Sequence, residues 1–169
     1  MRFVLASVRY RVGQVLRGFR PALHAHEADE VRRLLSDGEL QLFLPLDARD
    51  RRQAVDVMRW LLQRTEPSTD LLAAALLHDV GKRGIRLRDR VAFVLLEAVS
   101  PRLVDRLGAE RDARWRRALW TLRHHARLGA DLLAGAGTRP RVVALVADHT
   151  GAAGDDAELG WLIAADDAC

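Results

Sequence analysis

Along most of this chain the apolar residues recur every three or four positions, the spacing that lays them along one side of an α-helix. The pattern predicts helices near residues 2–19, 27–35, 47–64, 69–80, 87–99, 101–107, 112–122, 124–135, 139–149 and 156–167. The punctuation fits these bounds. Gly38 follows "LLSD", Pro67 precedes "STD", Gly81 follows an apolar stretch, and Pro140 sits where a first helical turn tolerates it. Asp47 and Thr69 are placed as N-caps. Connections this short imply closely packed neighbours, so the expected fold class is all-α, a compact helical bundle.

The segment "LLAAALLHDVGK", residues 71–82, departs from the one-sided pattern. It is apolar all round from Leu71 to Leu77, then runs into His78, Asp79, a glycine and the chain's only lysine, Lys82. A carboxylate taken out of water must meet a cation or convergent donors. Three other predicted helices carry a histidine or carboxylate on the apolar side. His125 lies one turn before Gly129 and two before Leu132, His149 follows Leu145 and Val146, and Asp166 follows Leu162 and Ile163, with Asp167 a near alternative. His124 points about 100° away from His125, so only one of the two faces inward, and Gly129 leaves room there for another helix or a ligand. A lone histidine on an apolar face is more often a core residue bonded to a carbonyl than a ligand. Four helices each contributing an inward imidazole or carboxylate point instead to a divalent-cation site.

These stretches, "LLHDVGK" at 76–82, "HARLGADLL" at 125–133, "VVALVADH" at 142–149 and "LIAADD" at 162–167, resemble the HD-domain superfamily, helical metal-dependent phosphohydrolases. The likeness runs in order from about residue 40 to the C-terminus and is nearest to short bacterial HD proteins. It divides the chain into residues 1–39, a basic N-terminal helix with a helical extension packed on the core, and residues 40–169, the HD domain. The resemblance implies metal ligands at His78, Asp79 and Asp166, a second site completed by His125 and His149, and Asp79 as the bridging, catalytic carboxylate. Lys82 matches the family's substrate-binding and catalytic lysine, which approaches a phosphate. It further implies one or two divalent cations per chain (Mn, Fe, Co, Ni, Zn or Mg) and a phosphate-bearing small-molecule partner of nucleotide type. One position breaks the pattern. In "DRRQAVDVMRWL", residues 50–61, the place of the family's first ligand histidine falls on Gln53. Val57 and Trp60 orient Gln53 inward, but an amide binds such metals poorly and is better suited to hydrogen bonding a neighbour or a bound water. Asp50 and Asp56 would need a register change to take its place. Two functions follow as expectations: a metal-dependent phosphomonoesterase or phosphodiesterase weakened by Gln53, or a degenerate HD module that binds nucleotide or metal in a regulatory role.

Composition adjusts this picture little. Of 169 residues 49% are hydrophobic and 30% charged, as in an ordinary globular protein. A pI near 10.4 suggests nucleic acid, but the net charge is only +4 and arginine inflates the pI. Trp60, Trp115, Trp120 and Trp161 do not interleave with a basic stripe and read as core or helix-packing anchors, and His24 and His26 as surface residues. Cys169 is the only cysteine, which excludes an intrachain disulfide and fits a cytoplasmic setting. No run approaches the ~20 apolar residues of a membrane span. Residues 2–19 are basic and amphipathic, a pattern that can lie on an anionic membrane surface, although packing against the fold is the commoner use.

Overall fold

The computed structural model describes residues 22–169, so the helix expected over 2–19 lies outside the described residues. Every regular element among the described residues is helical. These are α1 (Ala25–Leu34), α2 (Asp37–Phe43), α3 (Ala48–Leu62), α4 (Thr69–Leu77), a 3-10 turn (Val80–Lys82), α5 (Leu87–Val99), α6 (Pro101–Leu107), α7 (Arg114–Gly135), α8 (Pro140–Asp148) and α9 (Ala157–Ala168). The all-α expectation holds.

Three local expectations are corrected. Gly38 does not stop a helix; it lies inside α2, which the periodicity missed. The signal was present in "SDGE". Ser36 accepts the Glu39 N–H and Glu39 accepts the Ser36 N–H at 2.8 Å, a reciprocal cap that outweighs one glycine. The N-cap of α4 is Ser68, whose hydroxyl accepts the Leu71 N–H at 3.1 Å, and Thr69 is already helical. Residues 112–122 and 124–135 are not two helices but parts of α7, because nothing between them breaks the backbone hydrogen bonding. Asp47 caps α3 and Pro140 opens α8 as expected.

The chain forms two compact units. One contains Gly84–His124, in which α5 packs on α6. The other contains the described residues up to Arg83 together with His125–Cys169. At its centre is α4, which packs against α1, α2, α3, α8 and α9. That position explains its all-round apolarity. Every residue from Leu71 to Leu77 is buried, and each leucine so buried stabilises by about 1.5–3 kcal/mol. Two polar clusters tie this unit together. Glu27 of α1 is fully buried and receives Arg52 of α3 at 2.8 and 2.7 Å and Arg59 at 2.5 Å. Arg141 of α8 grips Asp156, the N-cap of α9, at 2.7 Å through two nitrogens and reaches Glu158 at 2.8 Å. Glu158 also accepts the Ser68 hydroxyl at the head of α4.

Among the tryptophans, Trp60 of α3 meets Trp161 of α9 with ring centroids 6.1 Å apart, a helix-packing pair. Trp115 is 51% exposed, which corrects its expected anchoring role. Its neighbours Arg114, Arg116 and Arg117 put it on a solvated turn.

Candidate metal centre

The histidines of this site are aimed by helix ends. A helix leaves its last four carbonyls without partners. His78 is the first residue after α4 and His149 the first after α8. Each ring folds back onto the carbonyl three residues earlier, His78 Nδ1 on Ala75 O at 2.9 Å and His149 Nδ1 on Val146 O at 2.7 Å. A carbonyl only accepts, so both Nδ1 atoms carry hydrogen and both Nε2 atoms point inward. The same device is used twice.

Asp79 is brought to the third histidine by a close backbone crossing. Gly81, in the 3-10 turn, lies so near α7 that a Cβ there would stand 2.0 Å from His125 O. Gly129 completes the crossing, facing Gly81 N, Val80 and Val146. The room beside His125 is therefore filled by the doublet's own turn. His125 is buried, while His124 turns away and meets Trp120 at a tilt, with ring centroids 4.9 Å apart.

The result is a convergence around one oxygen. Asp79 Oδ1 lies 3.6 Å from His78 Nε2, 3.6 Å from His125 Nε2 and 3.9 Å from His149 Nε2. His125 and His149 approach through their Nε2 atoms at 3.3 Å. With His149 protonated on Nδ1, His125 is the donor in that contact. Asp166 of α9 stands 3.2 Å from His78 Nε2, without the alignment of a hydrogen bond. Asp167 is exposed, so Asp166 is the inward member of that pair. Gln53 of α3 reaches the same place and donates its amide N–H to Asp166 Oδ1 at 3.0 Å. Lys82 is not a solvated loop residue. Its ammonium lies 2.8 and 2.9 Å from the two oxygens of Asp79, with the side chain 19% exposed. Asp56 turns to Arg52 at 2.8 Å, and Asp50 is buried in the first turn of α3 despite its expected outward register.

Electrostatics follow from this packing. Burial opposes charge on His78, yet the carboxylates of Asp79 and Asp166 outweigh it and raise its pKa to about 9. Burial and the His78 charge lower His149 to about 4, so its inward nitrogen is unprotonated at neutral pH and can accept from His125. Asp79 is desolvated, but Lys82 and then the histidines hold it well below the usual carboxylate range. Asp166 likewise is lowered to about 2, chiefly by His78, against its own desolvation.

These residues fit a divalent cation. Asp79, His125 and His149 each offer a ligand atom, and the three atoms lie within 4.8 Å of one another, all buried. Two ligand atoms held tetrahedrally at ~2.1 Å from one ion would stand about 3.4 Å apart, close to the spacings here. Asp79 Oδ1 is a buried oxygen with no well-formed hydrogen bond, its one close partner being the Lys82 ammonium. Such an oxygen, facing two imidazole nitrogens in a polar cradle, leaves room for a further cationic partner.

Of the residues expected at the site, His78, Asp79, Lys82, His125, His149, Asp166 and Gln53 are all brought together. Sequence reasoning missed Lys82 as the counter-ion of Asp79, although their three-residue spacing was a readable sign. No protein-family model, curated protein or solved structure matches this chain.

Proposed function

We propose that this protein is an HD-type metal-dependent phosphohydrolase, cleaving a phosphomonoester or phosphodiester of a small nucleotide-like molecule. The observation that carries the reading is the convergence of Asp79, His125 and His149 on one buried point beside His78 and Asp166. A divalent cation held by that triad would supply Lewis acidity toward a phosphoryl oxygen and make water acidic enough to attack near neutral pH. The chain's own residues do the rest. The Ala75 and Val146 carbonyls lock two of the imidazoles in orientation. Lys82 balances the charge of Asp79 and lies at the edge of the site, where its compact ammonium can meet a substrate phosphate. Gln53 holds Asp166 against His78. One cation per chain is the favoured stoichiometry, because His78, Asp166 and Gln53 engage one another and not a fourth ligand.

The same contact favours a second reading. A Gln53–Asp166–His78 chain in place of a ligand histidine suits a degenerate HD module that binds nucleotide or metal in a regulatory role.

The test is metal analysis after purification without chelator, followed by phosphatase and phosphodiesterase assays with Mn²⁺ or Fe²⁺. Gln53→His is expected to raise metal occupancy and turnover, since imidazole is the better ligand. Absence of metal and turnover in both parent and variant, with nucleotide binding retained, would leave the regulatory module. Rapid turnover by the parent would show that Gln53 is no defect.

A further inference from the structure

The two compact units differ in charge sign. Residues 84–124 contain ten arginines and five acidic residues, whereas residues 21–83 with 125–169 contain twelve basic and eighteen acidic ones. Within the basic unit the acids are largely engaged. Arg114 takes Asp89 at 3.5 Å, Arg123 takes Glu97 at 3.5 Å and Asp105 at 3.0 Å, and Arg116 takes Asp112. Arg86, Arg102, Arg106 and Arg111 are exposed and form no ion pair among the described residues. The unit therefore presents uncompensated positive charge.

It also presents apolar surface. Leu87, Leu95 and Val99 of α5 are 50%, 48% and 77% exposed. With Val91 they succeed one another at four-residue steps, so they share one side of the helix. At 100° per residue Arg88 falls within the same arc and Ala92 just beside it, while Asp89 and Glu97 fall well outside it. Trp115, exposed among Arg114, Arg116 and Arg117, adds an aromatic ring with an adjacent guanidinium.

We propose that the outward face of α5, with Arg88 in its arc and Arg86 at its N-cap, docks on an anionic lipid bilayer. Aliphatic side chains entering the acyl boundary while arginines meet phosphate is the chemistry of interfacial helices, and Trp favours the same depth. The charge argues against other occupants. A second copy of this face would bring like charge to like charge. Residues 1–20 carry five arginines and no acid, so they are no better complement. Nucleic acid would match the arginines and could stack on Trp115, but the leucine and valine of the α5 face itself offer its bases no stacking surface.

The experiment is co-sedimentation of the full chain with phosphatidylcholine vesicles, with and without phosphatidylglycerol. Binding is expected only with the anionic lipid and should weaken as salt rises. Val99→Asp and Leu95→Asp should each weaken it about tenfold or more, by placing a carboxylate in the apolar contact. Val99→Ser, with circular dichroism, guards against a simple loss of helix and should show a smaller loss of the same kind. Failure to bind anionic vesicles overturns the proposal, as does equal binding to phosphatidylcholine alone. So do unchanged affinities in the α5 variants, which would move the contact elsewhere, or preference for a single-stranded oligonucleotide over the vesicles. None of these results bears on metal content or phosphoester turnover.

Discussion

His78 and His149 sit at equivalent places, each closing a helix and each tethered through Nδ1, yet their protonation differs. His78 faces two carboxylates and is raised to about 9; His149 meets the His78 charge inside the same apolar wall and is lowered to about 4. Both shifts have a sign in stability. An ordinary histidine titrates near 6.5. Above that value the unfolded chain has released the His78 proton while the folded chain keeps it, so stability falls as pH rises toward about 9. Below it the unfolded chain protonates His149 while the folded chain resists, so stability falls as pH drops toward about 4. Protein stripped with chelator is therefore expected to be most stable near pH 6.5, as followed by thermal melts across a pH series. His78→Gln should remove the alkaline decline and leave a shallower acid one, because burial alone then holds His149 down. A decline that persists in that variant would mean another group causes it.

The elements that make the site are short, and their joints matter more than their lengths. The doublet is followed by a three-residue 3-10 turn that can press on α7 because Gly81 lacks a side chain, with Gly129 leaving only a tight fit for one opposite it. Gly81→Ala puts a methyl into the His125 carbonyl, and backbone cannot rotate away as a side chain could. The expected cost is about 1–3 kcal/mol, measured by urea denaturation, and, on the proposed function, weaker binding of added Mn²⁺ as Asp79 moves from His125. Gly84, at φ 75° with open space around it, would instead carry only the strain of a left-handed alanine and leave the metal site intact. Comparable effects of the two substitutions on metal content would remove the special role of the crossing.

Taken as a whole, the unit that holds the site is secured by polar as well as apolar contacts. Glu27, with no exposed surface, is bound by Arg52 and Arg59 and joins α1 to α3. Glu27→Gln removes the buried carboxylate charge shared by Arg52 and Arg59, leaving Arg52 only Asp56 as counter-ion, and is expected to cost about 1–3 kcal/mol. Replacing Glu27 and Arg52 together by methionine should recover most of that loss in the same denaturation assay. A single substitution as mild as the double one would mean that water already reaches the pair. Much of this molecule could be read along the chain. Apolar periodicity gives helices, the all-round apolar "LLAAALL" marks a central one, and the side of each helix on which His125, His149, Asp166 and Gln53 fall follows from 3.6 residues per turn. These are local properties, set by bonds between near neighbours. The capping pair that makes α2 is local too, but apolar periodicity does not reveal it and the glycine inside it resembles a helix stop. Other features had no local signature. That Gln53 spends its amide on Asp166, that Glu27 is a buried partner of Arg52, and that one Asp79 oxygen stands within 3.9 Å of three imidazoles depend on residues far apart in sequence. Such distances are decided by how helices pack, where a missing side chain at Gly81 counts for as much as any ligand.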